Sequence, residues 1–243
     1  MDSLKKKFGK RNVKPNEKTL LVQEVFSKVA KNYDKMNDFM SFGAHRLWKS
    51  ELIEFLNVQK KDKIIDVGSG TGDLINLILK KNLSETLYSI DLNDEMLNHG
   101  RTKFKDQNVK FIKANAEKLP FNDNFFDKYI ISFCLRNVTN INNALSESFR
   151  ILRPGGLFYC LEFSKPEAEL VNKIYNSYKK NIIPWIGHKI ADNRDAYRYL
   201  EESISLFPNQ NELLYQLKKI GFFKTKYINM FNGIVAIHTG FKV

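Results

Sequence analysis

Apolar and polar positions alternate in short, regular units through the middle of the chain. The clearest unit spans residues 63–91 and reads KIIDVGSGTGDLINLILKKNLSETLYSID. A short apolar run ends in a turn of alternating glycines, an apolar pattern with helical spacing follows (Leu74, Leu77, Ile78), and a second β-rich run closes on Asp91. The pattern predicts strand, glycine turn, helix and strand in that order, with an acid at the end of the second strand.

The same alternation continues downstream. Asn93 is placed to cap a helix through Arg101, NVKFIKANAEKLPF reads as a third strand and a loop, and DKYIISFCL reads as a fourth strand. A helix over 142–151, a Pro-Gly-Gly turn and a fifth strand in LFYCLEFS follow. Asn232-Gly233 separates two final β runs as a hairpin signal, so we expect the last strand to be antiparallel. Together these elements predict an α/β fold with a parallel, doubly wound sheet, whose ligand crevice lies at the carboxyl ends of the strands.

Helical and irregular segments flank this core. Residues 1–15 are polar and basic and are expected to form a flexible tail, while 16–243 form a single domain. An amphipathic pattern from Asn16 and a second helical period in HRLWKSELIEFL predict a helical cover over about 16–57. The aromatic-rich span of about 165–208 interrupts the alternation and is expected to be a helical insert.

Composition limits the classes of protein that this chain can belong to. The 243 residues are 43% hydrophobic, enough for one sizeable core. No run of 18 apolar residues occurs, so no membrane span is expected. The net charge of +12 favours anionic surfaces such as phospholipid headgroups, nucleic acid or acidic partners, or else reflects a solvated tail around Lys5 to Arg11. Cys134 and Cys160 lie in apolar runs without a C-x-x-C pattern and are expected to be buried thiols of a reducing compartment.

The spacing of the glycine turn indicates which cofactor it would hold. A dinucleotide fingerprint is G-x-G-x-x-G, whereas this turn is G-x-G-x-G and places Asp73 at the helix start, where it would repel a pyrophosphate. With Asp66 at the end of the strand, the turn suits a ligand that carries an ammonium and a sulfonium, such as S-adenosylmethionine. Asp91 is placed to accept both hydroxyls of an adenosine ribose. A tight turn without a ligand is the alternative. The sequence motif predicts these residues around the cofactor: Asp66, Gly68, Gly70, Gly72, Asp91.

Longer stretches carry a resemblance to one family. The glycine turn and the terminal hairpin resemble class I S-adenosylmethionine-dependent methyltransferases, whose Rossmann-like sheet has seven mostly parallel strands. The stretches VFSKVAKNYDKMNDFMSFGAHRLWK, ISFCLRNVTNINNALSESFRILRPGGLFYCLEFSKP and DNRDAYRYLEESISLFPNQNEL resemble the UbiE-type ubiquinone/menaquinone biosynthesis C-methyltransferases. The similarity covers the chain from about Val25 to Val243, and the LRNV and LEFSKP stretches are the more specific part.

The resemblance implies further cofactor contacts. Carried over by position, these would be Thr71 in the turn, Asn115 and Ala116 beside the adenine, and Ser132 near the end of the fourth strand. Met96 could pack on the adenine ring face. An amide such as that of Asn115 can both donate to and accept from an adenine edge, although a loop asparagine that closes its own turn is the alternative.

The implied reaction is methylation of a ring carbon on a polyprenylated benzoquinol or on demethylmenaquinol, without a metal. The ring attacks through carbon when a ring hydroxyl loses its proton, against an ordinary phenol pKa near 10. Arg136 is expected to stabilise the developing oxyanion, with Asn137 as a neighbouring donor. Tyr33, His45 and His188 are alternatives for proton relay. Arg136 as a plain salt-bridge residue and Asn137 as a helix cap are the structural alternatives.

The polyprenyl tail implies a membrane partner. Aromatic and basic residues of the cover and the insert are the expected contact surface, unless they pack into an ordinary core. The resemblance also implies a multiprotein quinone-synthesis complex, and we allow for a homodimer. The expected location is the cytoplasm or the inner membrane surface of a bacterium, or the matrix face of the mitochondrial inner membrane of a eukaryote.

Three rival functions remain open at this point. An NAD-dependent oxidoreductase is disfavoured by the glycine spacing. An RNA methyltransferase would suit the charge, but its Pro-Cys or Asn/Asp-Pro-Pro-aromatic motif is missing at Ser132-Phe133-Cys134-Leu135, so no nucleic-acid partner is expected. A non-catalytic scaffold predicts loss of the glycine turn or of Asp91, and both are intact.

Overall fold

A computed structural model describes residues 2–30, 33–81, 86–178 and 194–243. Its centre is a seven-stranded sheet with the strand order β5-β4-β3-β6-β7-β9-β8. The strands from β5 to β7 pair in parallel, whereas β9 is antiparallel to both β7 and β8. The predicted doubly wound sheet and its antiparallel last strand are confirmed. The sheet strands are β3 (Lys63–Val67), β4 (Thr86–Asp91), β5 (Val109–Lys113), β6 (Phe126–Ser132), β7 (Leu152–Phe163), β8 (Phe223–Met230) and β9 (Val235–Phe241).

Helices cover both faces of this sheet. Successive strand residues point to opposite faces, and accordingly Ile64 packs in one buried cluster with helices α3 and α4, whereas Ile65 packs in another with α6 and α9. The helices are α1 (Pro15–Val29), α2 (Tyr33–Ser41), α3 (Ala44–Leu56), α4 (Asp73–Lys80), α5 (Asp94–Lys103), α6 (Ile141–Ile151), α7 (Glu169–Ser177), α8 (Arg194–Leu206) and α9 (Gln210–Ile220).

Asparagine side chains fix the starts of three helices. Asn93 Oδ1 accepts from Met96 N at 3.0 Å, as predicted for α5. Asn209 forms a capping box with Glu212 at the start of α9. Asn140, and not Asn137, caps α6 by accepting from the backbone of the first helical turn. The helix-cap alternative for Asn137 is therefore wrong, because Asn137 lies in a 3₁₀ turn over Leu135–Asn137.

Residues 2–12 form secondary structure, in the segment 1–15 where the sequence predicts a flexible tail. A 3₁₀ helix over Asp2–Lys6 leads into the antiparallel strands β1 (Lys7–Phe8) and β2 (Arg11–Asn12). The Phe8 ring stacks on Tyr199 with centroids 4.5 Å apart, and the backbone N–H of Lys10 donates to Glu202 Oε2 at 2.9 Å. Both partners lie on α8, far along the sequence, so local composition gave no sign of them.

The cover and the insert pack against each other. The predicted cover contains three helices, α1 to α3, and the predicted insert contains α7 and α8. Val29 of α1 is buried together with Ala196 and Tyr197 of α8. Trp185 and His188, which the sequence placed in the insert, lie outside the described residues.

Two strand ends differ from the sequence pattern. Strand β6 stops at Ser132, before the predicted end, because Phe133 adopts a left-handed backbone with φ 51° and the chain turns into the 3₁₀ helix. Strand β7 starts at Leu152 and includes the predicted Pro-Gly-Gly turn, which becomes an irregularity in its pairing with β6. Cys160 is buried, Cys134 is partly buried, and both are free thiols. Within the described ranges, no helix is long and apolar enough to cross a membrane.

Candidate functional site

Two cavities meet at the carboxyl ends of β3, β4 and β6. The larger has a volume of about 700 Å³ and the smaller about 100 Å³. Four residues line both of them: Tyr33, Gly68, Gly70 and Phe133. The crevice that the topology predicts therefore exists, and the glycine turn stands between its two halves.

The three glycines of the turn have different surroundings. All three have a positive φ, which glycine adopts without strain. A Cβ on Gly70 would meet only Tyr33 Cε1, at 3.7 Å, so this glycine leaves room at the junction of the cavities. A Cβ on Gly72 would lie 2.6 Å from Phe104 Cε2, and Gly72 lines neither cavity. Gly72 therefore allows Phe104, just after the end of α5, to pack closely against the turn, and its predicted role in cofactor binding stays a prediction.

Asp91 fixes the turn as well as facing the smaller cavity. Its Oδ2 accepts from the backbone N–H of Gly70 and its Oδ1 from that of Asn93, each at 2.9 Å. Burial raises the pKa of Asp91, and these backbone donors oppose that shift. The carboxylate therefore couples the position of the glycine turn to the end of β4.

The residues predicted around the adenine line the smaller cavity. Met96, Asn115 and Ala116 line it together with Asp91. Asn115 Oδ1 accepts from the backbone N–H of Glu117 at 2.9 Å, so this side chain does close its own turn. The turn-closing interpretation is confirmed, and because Asn115 also lines the cavity, its contact with adenine stays a prediction.

Asp66 is a buried carboxylate at the wall of the larger cavity. Its side chain is 1% exposed, and neither oxygen has a hydrogen-bond partner among the described residues. Burial raises its pKa from 3.8 to about 7. A buried carboxylate without a partner is costly unless a ligand supplies one. Asp66 therefore fits the ammonium of the methionine half of S-adenosylmethionine.

Asp73 contributes less to the cofactor site than the sequence implied. Lys49 Nζ lies 2.7 Å from its Oδ2 and Lys103 Nζ lies 3.7 Å from its Oδ1. These lysines balance its charge, so the argument that Asp73 would repel a pyrophosphate is weakened. Thr71 lines the larger cavity, and its Oγ1 donates to Asp34 Oδ1 at 2.8 Å, which ties the turn to α2.

Arg136 is buried in an ion pair at the larger cavity. Its Nη1 lies 2.7 Å from Glu162 Oε1 and donates also to the carbonyl oxygen of Phe133 at 2.6 Å. The guanidinium stands over the Phe163 ring, 5.4 Å from its centroid. The structural alternative for Arg136, a salt bridge, is therefore confirmed. Arg136 Nε, however, is buried without a partner among the described residues, so Nη1 alone does not use up the donors of this guanidinium.

Asn137 does not stand beside Arg136 in the larger cavity. It lines the smaller one. Its Oδ1 accepts from Tyr199 Oη at 3.0 Å, and its Nδ2 donates to the carbonyl oxygen of Phe133 at 3.4 Å. These contacts give Asn137 a structural role, and its predicted role as an oxyanion donor stays a prediction, because the second N–H of Nδ2 is not used by them.

Tyr33 lies where the cavities join, and it remains a phenol at neutral pH. Burial raises its pKa to about 12, against the opposing effect of Arg136 and of a hydrogen bond with Asn37. Tyr33 can therefore donate a hydrogen bond but does not act as a base in the ionised form.

An aromatic wall, which the sequence did not assign to the site, lines the larger cavity. The Trp48 ring lies 6.0 Å from Phe133, 6.0 Å from Phe163 and 5.6 Å from Phe231, measured between centroids. The aromatic richness of the cover was visible in the sequence, but Phe163 and Phe231 come from strand ends far along the chain. Their assembly depends on the sheet order.

Unpartnered buried polar atoms concentrate at this cavity. Six such atoms belong to residues that line it, whereas the other described residues together contribute five. Native proteins satisfy almost all buried polar groups, so a local excess marks a ligand site. The six are His45 Nδ1, Trp48 Nε1, both carboxylate oxygens of Asp66, Ser132 Oγ and Arg136 Nε.

Comparison with known proteins agrees with this geometry. A sequence model of the ubiE/COQ5 methyltransferase family matches residues 11–242. The chain is 48% identical over 246 residues to the ubiquinone/menaquinone biosynthesis C-methyltransferase UbiE of Rickettsia bellii, covering 97% of this chain and 98% of the relative. It is 46% identical over 242 residues to the UbiE of Proteus mirabilis, with 97% and 96% covered.

Solved structures share the fold at low sequence identity. A SAM-dependent methyltransferase from Thermotoga maritima superposes with a TM-score of 0.67 at 19% identity, covering 91% of this chain and 100% of that one. One from Aquifex aeolicus has a TM-score of 0.60 at 16% identity, with 86% and 98% covered. The sheet described above is therefore the fold of class I methyltransferases.

Proposed function

The chain belongs to the ubiE/COQ5 methyltransferase family. From this membership we propose that one of its two cavities binds the cofactor's adenosine and the other binds the quinol that is methylated. The protein is an S-adenosylmethionine-dependent C-methyltransferase of quinone biosynthesis. The substrate is a polyprenyl benzoquinol or demethylmenaquinol, since the relatives are named for both ubiquinone and menaquinone. The observation that carries the proposal is the cluster of unpartnered buried polar atoms at the larger cavity.

The smaller cavity would take the adenosine half of the cofactor. Asp91 would hold the ribose, and Met96, Asn115 and Ala116 would surround the adenine. Asp66, at the adjoining wall of the larger cavity, would pair with the ammonium. When bound, the cofactor supplies an already activated methyl group, so the protein's contribution is alignment and exclusion of water.

The larger cavity would hold the quinol ring. Its volume of about 700 Å³ is in the range of small-molecule sites. The wall of Trp48, Phe133, Phe163 and Phe231 presents ring faces and edges to an aromatic head group. Arg136 Nε and Trp48 Nε1 are donors for ring oxygens, and in a cavity shielded from water such donors stabilise a developing oxyanion strongly. The phenol of Tyr33 would add a third donor.

The rim of the larger cavity would rest on a lipid surface. Four of its lining side chains are large, apolar and exposed: Phe42 is 80% exposed, Leu47 60%, Ile174 62% and Phe231 55%. Their position at the mouth of a mostly apolar cavity suits a substrate whose tail lies in a bilayer. The net charge of +12 favours an anionic membrane.

Calorimetric titration followed by a methyl-transfer assay tests the activity. The wild-type chain should bind S-adenosylmethionine and methylate a reduced short-tailed benzoquinol, a reduced naphthoquinol, or both. Asp91→Ala should abolish cofactor binding, and Arg136→Ala should bind the cofactor but turn over at least a hundredfold more slowly. Transfer to RNA with neither quinol methylated would overturn the proposal. Arg136→Ala turnover at the wild-type rate would remove Arg136 from the mechanism.

Vesicle sedimentation tests whether the rim of the larger cavity binds a lipid surface. A triple serine variant at Phe42, Leu47 and Phe231 should lose binding to vesicles of phosphatidylcholine and phosphatidylglycerol. The control carries serine at three exposed residues outside this cavity, Leu20, Tyr215 and Phe223. Equal vesicle binding by both variants would contradict the proposal that the rim contacts the lipid surface. If size-exclusion chromatography showed that the rim variant instead dissociates a homodimer or a quinone-synthesis complex, the rim would be a protein interface.

A further inference from the structure

His45 and Asp38 form an oriented pair beside the larger cavity. His45 lies in the first turn of α3, is 4% exposed and lines the cavity. Its Nε2 lies 2.8 Å from Asp38 Oδ1. Asp38 also accepts from Arg46, through Nε at 2.6 Å and Nη2 at 2.7 Å. The hydrogen bonds from Arg46 hold the pKa of Asp38 well below its usual range, so Asp38 is a carboxylate and accepts only.

This contact fixes the tautomer of the imidazole. Because Asp38 cannot donate, the neutral His45 ring must carry its proton on Nε2 and its lone pair on Nδ1. Nδ1 is buried and has no hydrogen-bond partner among the described residues. The neutral ring therefore keeps an unpartnered proton-accepting atom in a residue that lines the cavity, and the arrangement is that of a base oriented by a carboxylate.

Burial, with a smaller contribution from nearby charge, favours the neutral form of His45. Burial lowers its pKa, and Lys49 on the same helix acts in the same direction. Asp38 from α2 and Asp73 from α4 oppose this effect, but the net shift is downward. Arg46, also on α3, has its charge engaged by Asp38.

Other titratable groups of this cavity are less suited to accept a proton. Tyr33 has a pKa of about 12. Lys49 is paired with Asp73, and the Tyr178 hydroxyl donates to the carbonyl oxygen of Met40 at 2.7 Å. Arg136 keeps its proton at all accessible pH values. Among the described residues Asp66 is the remaining rival, and in the proposed function its charge is taken by the cofactor's ammonium.

We infer that His45, oriented by Asp38, is the group that accepts the ring-hydroxyl proton of the quinol; this inference rests on the proposed function. The O–H proton passes to Nδ1, and the oxygen electrons raise the nucleophilicity of the ring. The ring carbon then forms a C–C bond to the methyl group as the S–C bond breaks and its electron pair stays on sulfur. Loss of the ring C–H proton to water restores the aromatic ring, and protonated His45 returns its proton to the oxygen. The net release is one proton.

Nitrogen NMR of the His45 imidazole tests how Asp38 orients this ring, and it needs no enzyme turnover. In ¹⁵N-histidine-labelled protein, His45 should be neutral at pH 7 with the proton on Nε2. Asp38→Asn should change this tautomer or its population. A resonance that places the proton on Nδ1, or a ring that is protonated at pH 7, would overturn the inference while leaving the proposed function standing.

Kinetics with a reduced short-tailed benzoquinol give the second test. His45→Gln should lower kcat by 10²- to 10⁴-fold and leave the calorimetric affinity for S-adenosylmethionine within about twofold. Its pH profile should lose the acid limb that the wild type shows as His45 protonates. His99→Gln, at an exposed histidine of α5, is the control and should match the wild type. If the wild type is active and the folded His45→Gln variant has the same kcat, the assignment to His45 is wrong. It is also wrong if the acid limb of the pH profile disappears in Asp66→Asn but not in His45→Gln. If wild type itself transfers no methyl group to the quinol, the proposed function fails instead.

Discussion

Arg136 Nη1 and Glu162 Oε1 lie 2.7 Å apart with both side chains buried, at the point where β6 and β7 reach the larger cavity. Glu162 also accepts from the backbone N–H groups of Arg136 and Phe163, at 3.3 Å and 2.9 Å. Burial raises the pKa of Glu162, and Arg136 opposes that shift. The carboxylate therefore fixes the guanidinium and offsets much of its charge. The hydrogen bonds and the ion pair of the Arg136 side chain engage Nη1, so the donors that Arg136 can offer a substrate are those at Nε and Nη2.

This pair should show strong coupling in a double-mutant cycle. Glu162→Gln and Arg136→Met should each lower the free energy of unfolding by about 3–5 kcal/mol, because each leaves a buried charge without its partner. The double variant should lose less than the sum. Urea unfolding measures all four proteins. Additive losses would mean that the two side chains do not stabilise each other.

Asp66 should link cofactor binding to pH. Its pKa in the folded protein, about 7, is above the unfolded value of 3.8. The folded state then binds more protons between these values, so this carboxyl lowers the free energy of unfolding as pH rises from about 4 to 7. An ammonium ligand favours the charged form, so S-adenosylmethionine should bind more weakly below pH 7 and release protons on binding there. Calorimetry in buffers of different ionisation enthalpy measures this release.

Asp66→Asn provides the matched variant. It should raise the thermal stability of the cofactor-free protein, remove the proton release and weaken S-adenosylmethionine binding by about 10- to 100-fold, the worth of a charged hydrogen bond. Unchanged affinity would show that Asp66 does not contact the cofactor.

Gly70 and Gly72 should respond differently to the same substitution. Gly72→Ala places a methyl group 2.6 Å from Phe104 and should lower the free energy of unfolding by about 1–3 kcal/mol, with partial rescue by Phe104→Leu. Gly70→Ala meets no such neighbour. Gly70→Ala should lower the free energy of unfolding by only about 1 kcal/mol, through backbone strain. It should nevertheless weaken cofactor binding at least tenfold. Thermal melts and calorimetry separate the two effects, and a reversed pattern would contradict the assignment.

The N-terminal hairpin should stabilise the site through Tyr199. Phe8 stacks on Tyr199, and Tyr199 Oη donates to Asn137. Phe8→Ala should lower the free energy of unfolding by about 1–3 kcal/mol and increase amide exchange in residues 2–12 and in α8. Phe223→Ala, at a half-exposed ring on β8, is the control. If exchange in α8 did not change, the hairpin would be only a surface attachment.

The order of strands and helices and the location of the cofactor crevice follow from the sequence. Ile64, Ile65 and Val67 before the glycine turn and Asp91 at the end of the next strand are local patterns. Hydrophobic periodicity and the backbone needs of glycine act over a few residues, so they can be read without a structure. The position of Asp91 and Gly70 at the crevice follows directly from that pattern.

Tertiary structure decided which contacts the named residues make. Gly72 turned out to pack against Phe104, Asn137 to be held by Tyr199, and Asp73 to be neutralised by Lys49. The pairing of Arg136 with Glu162, and of His45 with Asp38 and Arg46, likewise needs the folded chain. The physical reason is that charge balance and burial depend on neighbours brought together by sheet order, and no local pattern records which neighbour a side chain will meet.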